Sequence, residues 1–346
     1  MKRVIVFILV IVTLLLSSGC GQDTKLDEKL IIEGIGIDIS NGNYYISIQA
    51  MNTQQSEAAN SNGIVIGATG QTILDAMTNA VQKTGKSLLY SQNLFIILSE
   101  KACKNSLTDP LNFFIRYFQS RSSVDVFISK VPAQDIMSAE SAQSIELLVN
   151  AEERSGRVIR SSLINIISAE RNTTSDPRIP VLTLEKKKNI TNVTTDGTAV
   201  FSKNKFAGYL NNDETLGALF ILGKANNAAT VCNGMSCYID NSKSKVSVSV
   251  INGKITYTID VNAQCNAFDT KKTIYDYDVR NAFQNRIYNL ITEAINKSVG
   301  DYSADIFEFG KLLLQKEPAK YNSISNFSDA LKNASFDISV KVKPVA

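Results

Sequence analysis

The feature that most constrains this chain lies at its start. Lys2 and Arg3 precede an apolar run over residues 4–16 that only Thr13 interrupts, and Ser17, Ser18, Gly19 and Cys20 follow at once. The run falls well short of the ~20 apolar residues that cross a hydrocarbon core, and its basic front and small-residue exit are those of a cleavable signal peptide. Residues 1–19 are therefore expected to be removed, and the rest to fold outside the cytoplasm. Small residues directly before a cysteine form a lipobox, although Ser17 stands where leucine is usual and Leu16 lies one place further back. Cys20 is expected to be lipidated with a diacylglyceryl group; an ordinary secretory signal with an incidental cysteine is the alternative. Two acyl chains, at about 0.8 kcal/mol per buried methylene, hold far better than the marginal grip of one. Residues 20–29 then read as the lipidated cysteine and a polar tether to membrane lipid.

The remaining composition limits the chemistry. Of 36 basic residues two belong to the leader, leaving 34 against 33 acidic ones, so the mature body is near neutral and no nucleic-acid partner is expected. Histidine is absent, which removes the commonest general base and the commonest zinc ligand. No catalytic residue, cofactor or metal site is assigned, and the protein is not expected to be an enzyme. A hydrophobic content of 44% with 20% charged residues is that of a folding chain, and 346 residues exceed one ordinary core.

Hydrophobic periodicity sorts the body into alternating strands and helices. Residues 30–39 and 44–51 are extended runs around Asn41-Gly42, a tight hairpin turn. Residues 54–63 are a polar loop, and Ile73, Leu74, Met77, Ala80 and Val81 share one helical face. Residues 94–98 suit a strand buried on both faces, 124–128 are strand-like, and helices are expected over 110–118, 133–137, 141–153 and 161–168. A linker or exposed crossing is expected at 171–180, near the end of the first lobe. Strands at 192–201 and 206–210 precede a helix capped from Asn212, Asp213 and Glu214, and the clearest hairpin joins 245–251 to 255–261 through Asn252-Gly253. From Val279 a long apolar stripe marks a helix, a second helix runs through Ile306, Phe309, Leu312 and Leu313 until Pro318 stops it, and 336–342 is a closing strand. The expectation is a mixed α+β chain of two to three domains, with mixed or antiparallel sheets flanked by helices. Residues 30–188 form an N-terminal α/β lobe, 189–226 a middle subdomain of hairpin plus helix, and 227–346 a C-terminal α/β lobe.

Several short motifs, in this order and behind a lipobox, resemble the Ger(x)C or GerAC-like spore germination proteins, the lipoprotein C subunits of nutrient germinant receptors. They are Glu33-Gly34-Ile35-Gly36-Ile37-Asp38, the helix entry at Gly70, Leu89-Tyr90-Ser91-Gln92, Asp196-Gly197-Thr198, Gly208-Tyr209-Leu210-Asn211 with Glu214, and Asp305-Ile306-Phe307-Glu308-Phe309-Gly310. Members often carry Trp-Asp after the lipidated cysteine, where this chain has Gly21-Gln22, and further Trp near the C-terminus, where it has Tyr321. The resemblance implies a multi-lobed α/β body on the extracytoplasmic face of the spore inner membrane. It also implies assembly with integral-membrane A-type and B-type receptor subunits and a part in the response to nutrients. Gly34, Gly36, Asp38, Gly70, Gly197, Gly208, Glu214, Asp305, Phe307 and Gly310 carry the family signature, in structural roles.

Other constellations have plainer readings. Cys232 and Cys237 are spaced for a local disulfide in an exported domain, with free thiols as the alternative. The acid pairs Glu152-Glu153 and Asp276, Asp278 are surface residues rather than a glycosidase couple, and Glu185-Lys186-Lys187-Lys188 is a turn tip or a contact for anionic lipid. A solute-binding lipoprotein of a transporter would instead show two similar lobes around a hinged cleft, and a surface cell-wall enzyme a pocket of converging acids.

Overall fold

A computed structural model describes residues 28–345 except 52–63, 118–119, 173 and 189. The leader, Cys20 and the polar loop at 54–63 lie outside the described residues.

Strand β1 (Lys29–Ser40) turns into β2 (Asn43–Ala50) through Asn41 and Gly42, both at positive φ, and Ser40 pairs with Asn43 as the Asn-Gly turn dictates. Strand β3 (Ile64–Gly70) pairs on the outer side of β2, and helix α1 (Ile73–Thr84) follows it. The hydroxyl of Thr72 caps α1 by accepting from Asp75 N at 3.1 Å, and Gly85 ends it in the left-handed region at φ 66°. The short β4 (Ser87–Leu89) runs parallel to the start of β1.

Strand β5 (Phe95–Ser99) lies parallel to β1 on one side and to β6 (Asp125–Ser129) on the other, and all of its residues are buried. A continuous apolar run is what two covered faces demand. Between β5 and β6 come α2 (Glu100–Cys103) and α3 (Asn112–Arg116), and after β6 come α4 (Ala133–Ala139), α5 (Ala142–Arg154) and α6 (Leu163–Asn172). One core, with Met77, Phe114 and Ile166, joins α1, α3 and α6 to one face of the sheet. The opposite core, with Met137, Ile145 and Phe127, holds α4 and α5.

Strand β7 (Arg178–Lys187) is parallel to β6, and β8 (Ile190–Ser202) and β9 (Lys205–Leu210) add antiparallel. The sheet order is β3-β2-β1-β5-β6-β7-β8-β9, with β4 beside β1. Two expectations change here. The stretch at 171–180 does not close the first lobe, because β7 starts inside it and continues the same sheet. Residues 189–226 are not a separate middle unit either: β8 and β9 complete the first sheet, while α7 (Asn212–Ile221) packs in the core of the second lobe.

That second lobe is a four-stranded sheet of β10 (Ala228–Cys232), β11 (Met235–Ile251), β12 (Lys254–Phe268) and β13 (Ser335–Pro344), in that order, with β13 parallel to β12. The Asn252-Gly253 hairpin joins β11 to β12 with Ile251 opposite Lys254. Ile255, Tyr257, Ile259, Val261, Ala263 and Cys265 alternate inward from β12 and meet the stripe of α8 (Tyr277–Ile295) and the apolar helix α7. A π-helical turn at Asn296–Asp301 ends α8. Then come α9 (Phe309–Lys316), α10 (Pro318–Asn322) and α11 (Phe327–Lys332). Pro318 does more than stop a helix, since it occupies the first turn of α10, where its missing N–H costs nothing. Among the described residues no helix is long and apolar enough to cross a membrane.

Candidate functional site at the lobe junction

The two lobes meet where the segment entering β7 faces the segment between α8 and α9. Asp305, only 4% exposed, holds the turn into α9: its Oδ1 accepts from Phe307 N at 3.1 Å and Phe309 N at 3.0 Å, and its Oδ2 from Gly310 N at 2.7 Å. Such N–H groups at a helix start have no partner within the helix, so a carboxylate placed there meets a real deficit. Across the junction Asp176 accepts from Lys203 N at 3.0 Å and from Asp305 N at 2.8 Å. Arg178 donates from Nη1 to the Ile306 carbonyl at 2.7 Å, and Ser202 Oγ donates to the Ser303 carbonyl at 3.1 Å.

A fourth crossing explains Gly208. The Tyr302 hydroxyl donates to the Tyr209 carbonyl at 2.9 Å, and its ring lies so close that a Cβ on Gly208 would stand 2.4 Å from it, at φ +155°, where side chains are rarely tolerated. Behind the turn, Phe307 and Phe309 have ring centroids 5.2 Å apart, and Tyr257 lies 4.6 Å from Phe309 and donates to its carbonyl at 3.1 Å.

Burial pushes the Asp305 carboxyl up to about 7, against the three backbone N–H groups that favour its charged form; the nearby Asp176 adds to the rise. Burial likewise raises Asp176, while its two N–H donors oppose the rise. Burial lowers Arg178, against the pull of Glu308 and Asp305. A cavity of about 690 Å³ opens beside these groups, lined in part by Asp176, Lys203, Asp305, Tyr321 and Phe327. The carboxylate oxygens at its wall are committed to backbone N–H groups. Their arrangement is that of a joint, in which two acidic side chains fix two segments of chain.

The remaining signature residues are placed elsewhere. Asp38 caps α4 from a distance, accepting from Ala133 N at 2.8 Å and Gln134 N at 3.0 Å. Gly34 and Gly36 let Phe95 and Met137 close down on β1, each being nearer than a Cβ would permit. Gly70 ends β3, Gly197 lies in β8 against the Leu210 carbonyl, and Glu214 forms a capping box with Asn211, whose Oδ1 accepts from Glu214 N at 2.9 Å. The cap is therefore Asn211, one residue before the expected Asn212. Of the signature only Gly208, Asp305, Phe307 and Gly310 converge at the junction. Asp176 and Arg178, which complete it, carried no sequence signal beyond charges beside Pro177.

Cys103, Cys232, Cys237 and Cys265 are unbridged in the structure, the alternative to a local Cys232–Cys237 disulfide. Cys232 Sγ turns to the Ala282 carbonyl at 3.6 Å, while the neighbouring Cys265 on β12 pushes the buried Cys237 thiol up. Burial pushes the Cys103 thiol up to about 12. The acid pairs are tied locally: Glu152 accepts from Thr195 Oγ1 at 3.3 Å, and Asp276 from Thr273 N at 2.6 Å. Glu185 to Lys188 form the exposed tip between β7 and β8, with Lys187 paired to Glu185 at 3.0 Å. Among the described residues no group of three or more potential ligands is placed to hold a metal.

Comparison with known proteins agrees with this architecture. Residues 22–184 match the family model "Spore germination protein N-terminal domain", and 196–344 match "Spore germination B3/ GerAC like, C-terminal". Spore germination protein B3 of Bacillus subtilis (strain 168) is 23% identical over 375 aligned positions, covering 99% of this chain and 98% of that protein. Spore germination protein KC of the same organism is 21% identical, covering 99% and 95%. The putative spore germination protein YfkR is 22% identical, covering 86% and 82%. The crystal structure of the GerBC protein superposes with a TM-score of 0.62 at 19% identity, covering 90% of this chain and 97% of that one, which establishes a shared fold. With both halves matched in order, the chain belongs to the GerAC-like spore germination protein family.

Proposed function

We propose that this protein is the lipid-anchored C-type subunit of a spore germinant receptor, held by Cys20 on the extracytoplasmic face of the spore inner membrane. It docks there on integral-membrane A-type and B-type subunits and contributes to nutrient-triggered germination through protein surfaces, without bond chemistry. The observation that carries the reading is the match of both family domains, in order, across the body that follows the Cys20 motif. Tethering supplies the physical logic: a body confined to the bilayer meets its neighbours at high effective concentration, so modest interfaces suffice. The joint fits this role better than a hinged solute trap, because the lobes are unlike sheets pinned by Asp176, Arg178, Ser202 and Tyr302.

Two measurements test it. Metabolic labelling with a palmitate analogue should mark the wild type and leave Cys20→Ala unmarked and washable from membranes; an unmarked wild type removes the anchor. Spores lacking the gene, in a strain without paralogous receptors, should lose their response to at least one nutrient. A normal response to every nutrient would sink the receptor assignment.

A further inference from the structure

The inner face of the second sheet carries three thiols on adjacent strands. Thr230 of β10 pairs with Cys237 of β11, and Cys237 pairs in turn with Ala267 of β12. Cys232 and Cys265 are thus both diagonal neighbours of Cys237, one on each side. Side-chain direction decides between them. The half-buried Cys232 points its sulfur at the Ala282 carbonyl on α8. Cys237 and Cys265 are both 0% exposed, and the Cys265 thiol is the strongest influence on that of Cys237. The register between β11 and β12 shifts between Ile239, which pairs with Cys265, and Asn241. Such an irregularity raises the local right-handed twist, which draws one set of diagonal neighbours together.

We propose that Cys237 and Cys265 are the sites of a structural disulfide in the mature protein, a cross-strand staple between β11 and β12. Two S–H bonds break and one S–S bond forms. The two electrons and two protons pass to an external disulfide, of a thiol-oxidising protein or of glutathione, which leaves as two thiols. Because both sulfurs are closed off in the folded sheet, pairing happens as the hairpin docks, and the finished bond is shielded from reductants. The neighbouring Cys265 thiol, and after it burial, hold the Cys237 thiol far above its ordinary range, which keeps an unpaired Cys237 inert once folded. The oxidising surroundings rest on the extracytoplasmic location proposed above; the pairing itself rests on the sheet.

Tryptic mapping distinguishes the alternatives. Lys224, Lys243, Lys254 and Lys271 place Cys232 and Cys237 in one peptide, 225–243, and Cys265 in another, 255–271. Protein refolded in a reduced and oxidised glutathione couple, then alkylated and digested, should yield those two peptides joined and lighter by two hydrogens, with Cys103 and Cys232 alkylated. Cys265→Ser should make Cys237 alkylatable and abolish the joined species. Alkylation of both Cys237 and Cys265 in the wild type, or an internal Cys232–Cys237 loop within 225–243, would overturn the pairing. The same map on protein extracted from spore membranes tests location: a bond that forms with glutathione but is missing there refutes the extracytoplasmic reading and leaves the pairing intact.

Discussion

Asp176 and Asp305 bond each other's backbones in both directions. Asp176 N donates to the Asp305 carbonyl at 2.7 Å, while the Asp176 carboxylate accepts from Asp305 N at 2.8 Å. Two residues from segments with no shared strand are thereby locked as firmly as neighbours in a ladder, and the Asp305 side chain remains free to hold the start of α9.

Asp305→Ala should be among the most damaging single changes in the second lobe. It leaves the N–H groups of Phe307, Phe309 and Gly310 buried without the acceptor that satisfies them. A loss of roughly 3 kcal/mol is expected, read as a lowered urea midpoint. A midpoint within experimental error of wild type would refute the clamp.

Stability should fall as pH rises through the carboxyl range. In the unfolded chain Asp305 releases its proton near 3.8, whereas in the folded protein burial keeps it until about 7. Below 3.8 both states are protonated and this contribution is fully present. Between the two values the folded state binds more protons than the unfolded one, so each rise in pH favours unfolding, up to a total on the order of a few kcal/mol. Asp305→Asn should flatten this slope, whatever its cost at a single pH. Urea titrations from pH 4 to pH 8 on both proteins check it, and parallel slopes would count against the buried proton.

Asp38→Ala should free the first turn of α4 without unfolding the sheet. Its carboxylate supplies the acceptors for Ala133 N and Gln134 N, a cap worth about 1–2 kcal/mol. Amide hydrogen exchange should accelerate at Ala133 and Gln134 while Ile96 and Ile97 in β5 stay protected. Unchanged protection at the helix start would show that β1 is not its cap.

Gly208→Ala should cost roughly 2 kcal/mol or more, since the new methyl meets the Tyr302 ring. Tyr302→Ala removes the obstacle, so the double variant should lose less than the sum of the single ones. Strict additivity of the two unfolding free energies would mean that ring and glycine do not touch.

Local signals were legible wherever one short segment settles its own conformation. Asn41-Gly42 and Asn252-Gly253 announced their turns, the all-apolar run around Phe95 announced a doubly covered strand, and the stripe from Val279 announced α8. What stayed hidden depends on distance along the chain. Nothing near Asp176 marks it as the partner of Asp305, and nothing near Cys237 shows that its companion is Cys265 rather than the closer Cys232. The extent of the first sheet is hidden for a related reason: the polar, proline-flanked stretch before Arg178 reads as an exit, yet β7 follows it and recruits β8 and β9 to the same sheet. The family motifs located half the joint, because Asp305, Phe307 and Gly310 fall within a few residues of one another, and could not locate the other half.

The way β8 and β9 finish one sheet while the helix directly after them enters the other core decides how the molecule can be taken apart. A cut in the tip between β7 and β8 strips two strands from the first sheet and leaves β7 as a bare edge, while the downstream fragment carries two orphaned strands at its head. A cut after β9 spares the sheet but lets the Tyr302 and Ser303 contacts lapse. Separate expression of the halves should therefore give sticky, insoluble products, and co-expression of both should recover a soluble pair.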